Sequence, residues 1–207
     1  MSRSLNKIIS DKQHGFREKK STISKLVIYV NGIFQSFYQK NQVDTVYTDF
    51  SRAFDSVNHE LIIKKLEFIG LNSKTVKLVS NYLKDRMLIV VIGQSEEVPF
   101  IAVVGVAQGS YFGPLLLCFF VNDLLKVILN SSCLLYADDL KLYKIINKED
   151  KINDQFKIQD NLNKVSKWCK DNGLLLNAEK CSTITFSRKV NDMPFNYYIN
   201  DKYHLLH

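Results

Sequence analysis

Two spacings of apolar residues alternate along the chain, one suited to helices and the other to strands. Between residues 21 and 38, Ile23, Leu26, Val27, Val30, Ile33, Phe34, Phe37 and Tyr38 recur at intervals of three and four. That is the stripe of an amphipathic helix, which Ser21 or Thr22 can cap. Residues 43–50 are rich in β-branched and aromatic side chains, which predicts a strand carrying Asp49 at its tip. Asn58 can cap a helix that passes Leu66 and Ile69 and stops at Gly70; Ser73 can cap a second through Val76, Val79 and Leu83. Residues 87–92 and 98–106 read as a hairpin turning near Gly93, and Gly113-Pro114 opens an apolar helix expected to reach Ile128.

Residues 132–137 form an apolar run that Asp138-Asp139 interrupts, and alternation resumes over residues 140–144. This pattern predicts a hairpin with two adjacent carboxylates at its turn. Ile152, Phe156, Leu162, Val165, Trp168 and Cys169 then mark a long helix ending at Gly173, with short strands at 174–176 and 183–186. Helices and hairpins around carboxylate-tipped strands give an α+β fold with a mostly antiparallel sheet.

Composition narrows the class. The 207 residues are 46% hydrophobic and 24% charged, with only 8 Gly and 3 Pro, which fits a globular chain and excludes collagen-like or low-complexity character. The longest apolar run, residues 114–121, is far short of the ~20 residues of a membrane helix, and residues 1–20 offer no apolar signal core. An intracellular protein without a membrane partner is expected. Cys118, Cys133, Cys169 and Cys181 are scattered, without paired zinc-ligand spacing, and are expected to be reduced core thiols. The net charge of +7 is concentrated: residues 1–25 hold seven basic side chains against Asp11 and Glu18. A basic arm suits a polyanion, because phosphate contacts release counterions, although solvated basic termini are common.

Asp49, Asp138 and Asp139 all fall at strand ends inside apolar stretches. Burying like charges together is costly unless a divalent cation neutralises them. Hard carboxylate oxygens, with water and phosphate completing the shell, are the usual setting for Mg²⁺. An Asp-Asp pair is equally what a tight turn uses on local grounds.

Several stretches in order then carry a resemblance. Asp49-Phe50-Ser51-Arg52-Ala53-Phe54-Asp55 comes first. Gly105-Val106-Ala107-Gln108-Gly109-Ser110 runs into Gly113-Pro114 and Asn122-Asp123, and Tyr136-Ala137-Asp138-Asp139 follows. Together they resemble the ordered core motifs of reverse transcriptases. With Gln13-His14-Gly15-Phe16-Arg17 and Ser21-Thr22 ahead, and Trp168, Asn177 and Lys180 behind, the chain looks like a non-LTR (LINE-like, jockey-type) retrotransposon enzyme over residues 13–186.

The resemblance implies a right-hand polymerase palm with part of the fingers and no thumb. Residues 1–42 would be partial fingers with the basic arm, 43–187 the palm with inserted fingers helices, and 188–207 the truncated start of a primer-grip hairpin. The implied activity is RNA-directed DNA polymerisation, adding dNTPs to the 3′-hydroxyl of a DNA primer on an RNA template. The implied cofactors are two Mg²⁺ ions, replaceable by Mn²⁺. Asp49, Asp138 and Asp139, with the Phe50 carbonyl, would hold the metals. Phe54 would be the gate against a ribose 2′-hydroxyl. Gln108 and Gly109 would meet nucleotide and template, Arg17 would grip the triphosphate, and Lys180 would act as general acid at the leaving pyrophosphate. Without the resemblance, Phe54 reads as core, Gln108-Gly109 as an ordinary loop, and Arg17 and Lys180 as surface charges.

Departures from the family pattern are Ala107 in place of the usual Pro, Ser110-Tyr111-Phe112 in place of a small apolar pair, and Asp201 where Gly is frequent. A second expectation is a catalytically weak or inactive remnant that binds nucleic acid through its basic arm. Group II intron or retron enzymes share the chemistry and stand as a nearer alternative. By analogy with target-primed copying the nucleus is favoured over the cytoplasm; oligomeric state is open.

Overall fold

The computed structural model describes residues 8–188, 195–199 and 203–204. Its strands in chain order are β1 (Gln42–Thr48), β2 (Phe50–Ser51), β3 (Met87–Leu88), β4 (Val91–Ile92), β5 (Ser95–Glu96) and β6 (Phe100–Ile101), then β7 (Ser132–Tyr136), β8 (Asp139–Ile146), β9 (Leu175–Leu176), β10 (Ser182–Phe186), β11 (Tyr198–Ile199) and β12 (Tyr203–His204). The α-helices are α1 (Thr22–Tyr38), α2 (His59–Phe68), α3 (Ser73–Leu83), α4 (Phe112–Phe120), α5 (Leu124–Val127) and α6 (Lys151–Asp171).

Four antiparallel strands in the order β10-β1-β8-β7 form the main sheet. Alternate residues of β1 feed two cores, as the two-residue period of a strand requires. Val43 packs with Tyr29, Ile33 and Leu134 on one side. Val46 joins the larger core of α2, α3, α4 and α6 on the other, with Ile62, Leu66, Val79, Leu117, Phe120, Leu162 and Val165. The expected α+β architecture with an antiparallel sheet is present, all four cysteines are free and buried, and no described helix is long and apolar enough to cross a membrane.

Four expected elements differ. Ser21 caps α1 through a capping box with Ser24, yet most of the helix stripe faces solvent: Ile23, Leu26, Val27, Phe34 and Tyr38 are exposed, and only Tyr29, Ile33 and Ser36 are buried. The sheet face beneath it is partly polar, and there the buried Tyr29 hydroxyl pairs with Thr45 Oγ1 at 2.8 Å. Asn72, not Ser73, caps α3, because its Oδ1 already accepts from the Thr75 amide one position earlier.

The helix expected to run from Gly113 to Ile128 breaks after Phe120, since the polar groups there have tertiary partners. Lys65 Nζ donates to the Phe120 carbonyl and to Asp123 Oδ1, both at 2.8 Å, while standing over the Phe120 and Trp168 rings. Asn122 ties back to Ser10 and Ile8. The second arm of the hairpin near Gly93 pairs with Met87–Leu88 at Phe100–Ile101, and its Val104 bridges Asn58 instead. Beyond it, Gly105 and Val106 spend their amides on the carbonyls of Val57 and Phe54. Much of the expected primer-grip stretch, including Asp201, and Arg3 and Lys7 of the basic arm lie outside the described residues.

Candidate active site

Asp49 follows β1 directly, and its main chain is pinned by residues more than a hundred positions further along the chain. The Asn177 amide donates to its carbonyl at 2.9 Å, and its own amide donates to Cys181 Sγ at 3.4 Å. β2 and β9 pair across the same junction, Phe50 opposite Leu176. The turn at 177–181 therefore delivers Lys180 to the site: its Nζ lies 3.5 Å from Asp49 Oδ2.

The other two carboxylates arrive on the neighbouring hairpin. Tyr136 pairs with Asp139, so Ala137 and Asp138 form a two-residue turn, with Ala137 in the left-handed region at φ +54°. β8 lies beside β1 with Leu140 opposite Thr48, which places Asp139 next to Asp49 across the strand ends. A cavity of about 590 Å³ opens there, lined by Asp49, Asp139, Tyr47, Lys25, Lys141 and Lys180 among others.

Burial raises the Asp138 carboxyl above the ordinary carboxylate range, and the like charges of Asp139 and Asp49 add to the shift. Lys25 and Lys141 line the same cavity. Lys25 Nζ donates to the Asp139 carbonyl at 3.1 Å, and burial brings its pKa down to about 8 despite Asp139. Lys141 Nζ sits 3.8 Å from the Tyr29 ring centroid and 4.6 Å from that of Tyr47. Among the described residues, no three His, Cys, Asp or Glu side chains converge closely enough to hold a metal ion as a group.

The remaining expected residues lie outside this cavity. The Arg17 side chain is almost buried, with Nη1 donating to the Ser10 carbonyl at 2.6 Å and 3.5 Å from Asp11, so it braces its own loop rather than facing the cavity. Phe54 sits in a short 3₁₀ turn and packs, half-buried, against the larger core. Phe50 is buried. Gln108 is exposed, its Nε2 3.5 Å from Asp55 Oδ1, and Gly109 holds φ +81° with open space around it. Sequence reasoning places Lys25 only in the basic arm and does not single out Lys141, although Lys141 interrupts an apolar strand two residues after Asp139, which is a legible signal.

Two adjacent antiparallel strands that end in acidic residues, backed by helices and facing a cavity with lysines on its wall, make a polymerase palm. The chain belongs to the reverse transcriptase (RNA-dependent DNA polymerase) family, which it matches over residues 1–198. It is 30% identical over 195 residues to a probable RNA-directed DNA polymerase from transposon BS of Drosophila melanogaster, covering 88% of this chain and 21% of that protein. It is 27% identical over 205 residues to the RNA-directed DNA polymerase from mobile element jockey of Drosophila funebris, covering 93% and 22%. The chain thus spans about a fifth of the length of the curated relatives it matches. Its fold is similar to telomerase from Candida tropicalis in complex with a fragment of telomeric RNA, with a TM-score of 0.65 at 15% identity, covering 93% of this chain and 34% of that one. The apo form truncated from its C-terminal domain gives 0.63 at 15% identity, over 89% and 38%.

Proposed function

We propose that this chain is the catalytic core of an RNA-directed DNA polymerase of a jockey-type retrotransposon, adding dNTPs to a primer 3′-hydroxyl opposite an RNA template. The observation that carries the reading is the pairing of β1 with β8, which puts Asp49 and Asp139 on one cavity with Asp138 in electrostatic reach of both.

The donor set fits Mg²⁺ or Mn²⁺ in kind. It offers hard carboxylate oxygens, one of them on a half-buried group whose charge is unfavourable as it stands. Such ions are commonly held by one or two carboxylates with water and phosphate completing the shell, so a three-residue cage is not required. Asp49, Asp138 and Asp139, with the Phe50 carbonyl, would hold the ions. Such ions would supply activation of a hydroxyl and would offset negative charge on the oxygens of the transferring phosphoryl group and the leaving pyrophosphate.

The chain's own residues supply the rest. Lys25 and Lys141 orient the triphosphate through its oxygens, taking the task first expected of Arg17. Lys180, beside Asp49, gives a proton to the departing pyrophosphate. Phe54 crowds the 2′ position, and Gln108 and Gly109 border the nucleotide and template. Primer extension on a primed RNA tests the reading: product should appear with Mg²⁺, vanish with EDTA and return with Mn²⁺. Product of equal length in EDTA would overturn it.

A further inference from the structure

We infer that Gln13 is a positioning residue of this centre, its side-chain amide locking the turn that carries Asp138 and Asp139. The inference rests on the polymerase reading for its purpose and on geometry for its substance. Ala137 occupies the left-handed region, which costs an L-residue about 1 kcal/mol and leaves its peptide groups out of line with the strand ladder. Gln13 meets both groups at once: Nε2 donates to the Ala137 carbonyl at 3.1 Å, and Oε1 accepts from the Ala137 amide at 3.0 Å. The same Oε1 accepts from the Gly15 amide at 2.8 Å. One side chain thereby acts as a strand partner for a residue 124 positions away.

The clamp is itself held. Gln13 is fully buried and bridges Leu135 in parallel. The Leu135 amide donates to the Lys12 carbonyl at 2.8 Å, and the His14 amide donates to the Leu135 carbonyl at 2.7 Å. Gly15 closes the site, since a Cβ there would stand 2.3 Å from the Ala137 nitrogen. A group with one donor and one acceptor in a plane is required; Asn is a methylene too short, and an ionised Glu lacks the donor. Fixing the Ala137–Asp138 peptide fixes where the Asp138 carboxylate leaves the backbone, and reacting groups must be placed to within about 0.5 Å.

The test uses the ¹⁵N-labelled full chain. Amide hydrogen exchange is measured for wild type, Gln13→Met and Gln13→Glu, together with Mn²⁺ affinity by water-proton relaxation; Asp138→Asn is the reference for loss of the carboxylate site. Gln13→Met is expected to speed exchange at Ala137 about tenfold or more, leave Val46 and Leu142 unchanged, and weaken Mn²⁺ by ~10-fold or more, the usual cost of losing an outer-shell support. Gln13→Glu keeps the acceptor and should fall between the two. Faster Ala137 exchange with wild-type Mn²⁺ affinity would make Gln13 merely structural and overturn the proposal. If Gln13→Met also loosens Val46 and Leu142, Gln13→Glu decides: wild-type Mn²⁺ affinity there overturns the proposal, and weakened affinity supports it. Unchanged Mn²⁺ binding in Asp138→Asn would sink the metal-site reading and the proposal with it, visibly apart from any failure of the clamp.

Discussion

Replacing Tyr197 by Phe tests how the segment after the main sheet is tethered to it. Asp44, in the middle of β1, is 1% exposed, and Lys144, opposite it on β8, pairs with Asp154. Four neutral groups donate to its carboxylate instead: the Gln42 side-chain amide and Thr185 Oγ1 (3.1 Å) to Oδ1, and Gln155 Nε2 (3.2 Å) and the Tyr197 hydroxyl (2.7 Å) to Oδ2. They come from β1 itself, β10, α6 and the stretch leading into β11, so one carboxylate joins four segments. Tyr197 is fully buried and its hydroxyl pKa is raised, chiefly by burial and then by Asp44. Tyr197→Phe removes one hydrogen bond to a charged group, ~1.5–3 kcal/mol, and leaves three donors in place. Asp44→Ala leaves all four neutral donors without their acceptor, and at about 1–3 kcal/mol for a stranded buried donor it should cost more than Tyr197→Phe. In the Asp44→Ala background, Tyr197→Phe should cost almost nothing further. Urea denaturation of all four proteins, followed by circular dichroism, gives the cycle. Additive losses, or a Tyr197→Phe loss below about 0.5 kcal/mol, would refute the network.

Other expectations follow from single sites. His14 is buried, its Nδ1 on Ser24 Oγ and its Nε2 without a hydrogen-bond partner among the described residues, and burial first, then Lys20, Lys25 and Arg17, lower its pKa below 6.5. The unfolded chain therefore takes the proton first as pH falls. The stability this neutral ring contributes is present above about pH 6.5 and lost as pH drops through the folded value, at up to ~1.4 kcal/mol per pH unit. Tm measured from pH 7.5 to 5.5 should show it, and His14→Asn should flatten that slope; an equal slope in the variant would count against it. Phe54→Val should raise ribonucleotide use relative to dNTP about tenfold or more in single-nucleotide incorporation. An unchanged ratio would leave Phe54 as a core residue only.

Much of the palm was legible because its signals are local. β1, the β7–β8 hairpin and α6 follow from period and turn chemistry, and Asp49, Asp138 and Asp139 stand at strand ends where pattern breaks reveal them. What was not legible depends on partners distant in sequence. The α1 stripe reads as a core face, but only Tyr29, Ile33 and Ser36 of that helix are buried against the sheet. The apolar run after Gly113 reads as one helix until Lys65 claims the Phe120 carbonyl. The family resemblance implies a phosphate-gripping Arg17, and in the fold its Nη1 donates to the Ser10 carbonyl of its own loop. Gln13 was visible as part of a motif, yet its role needs a turn on the opposite side of the sequence. Asp44 gave no signal, since a charged residue within a strand reads as an edge or solvent-facing position.

The most direct test of the central claim compares wild type with Asp138→Asn on one primed RNA, with binding and Mg²⁺-dependent dNTP incorporation measured on the same preparations. The carboxylate account predicts binding within about twofold of wild type and incorporation reduced at least a hundredfold, as expected when a group acting at the reacting phosphorus is lost. Incorporation by Asp138→Asn at the wild-type rate would contradict it.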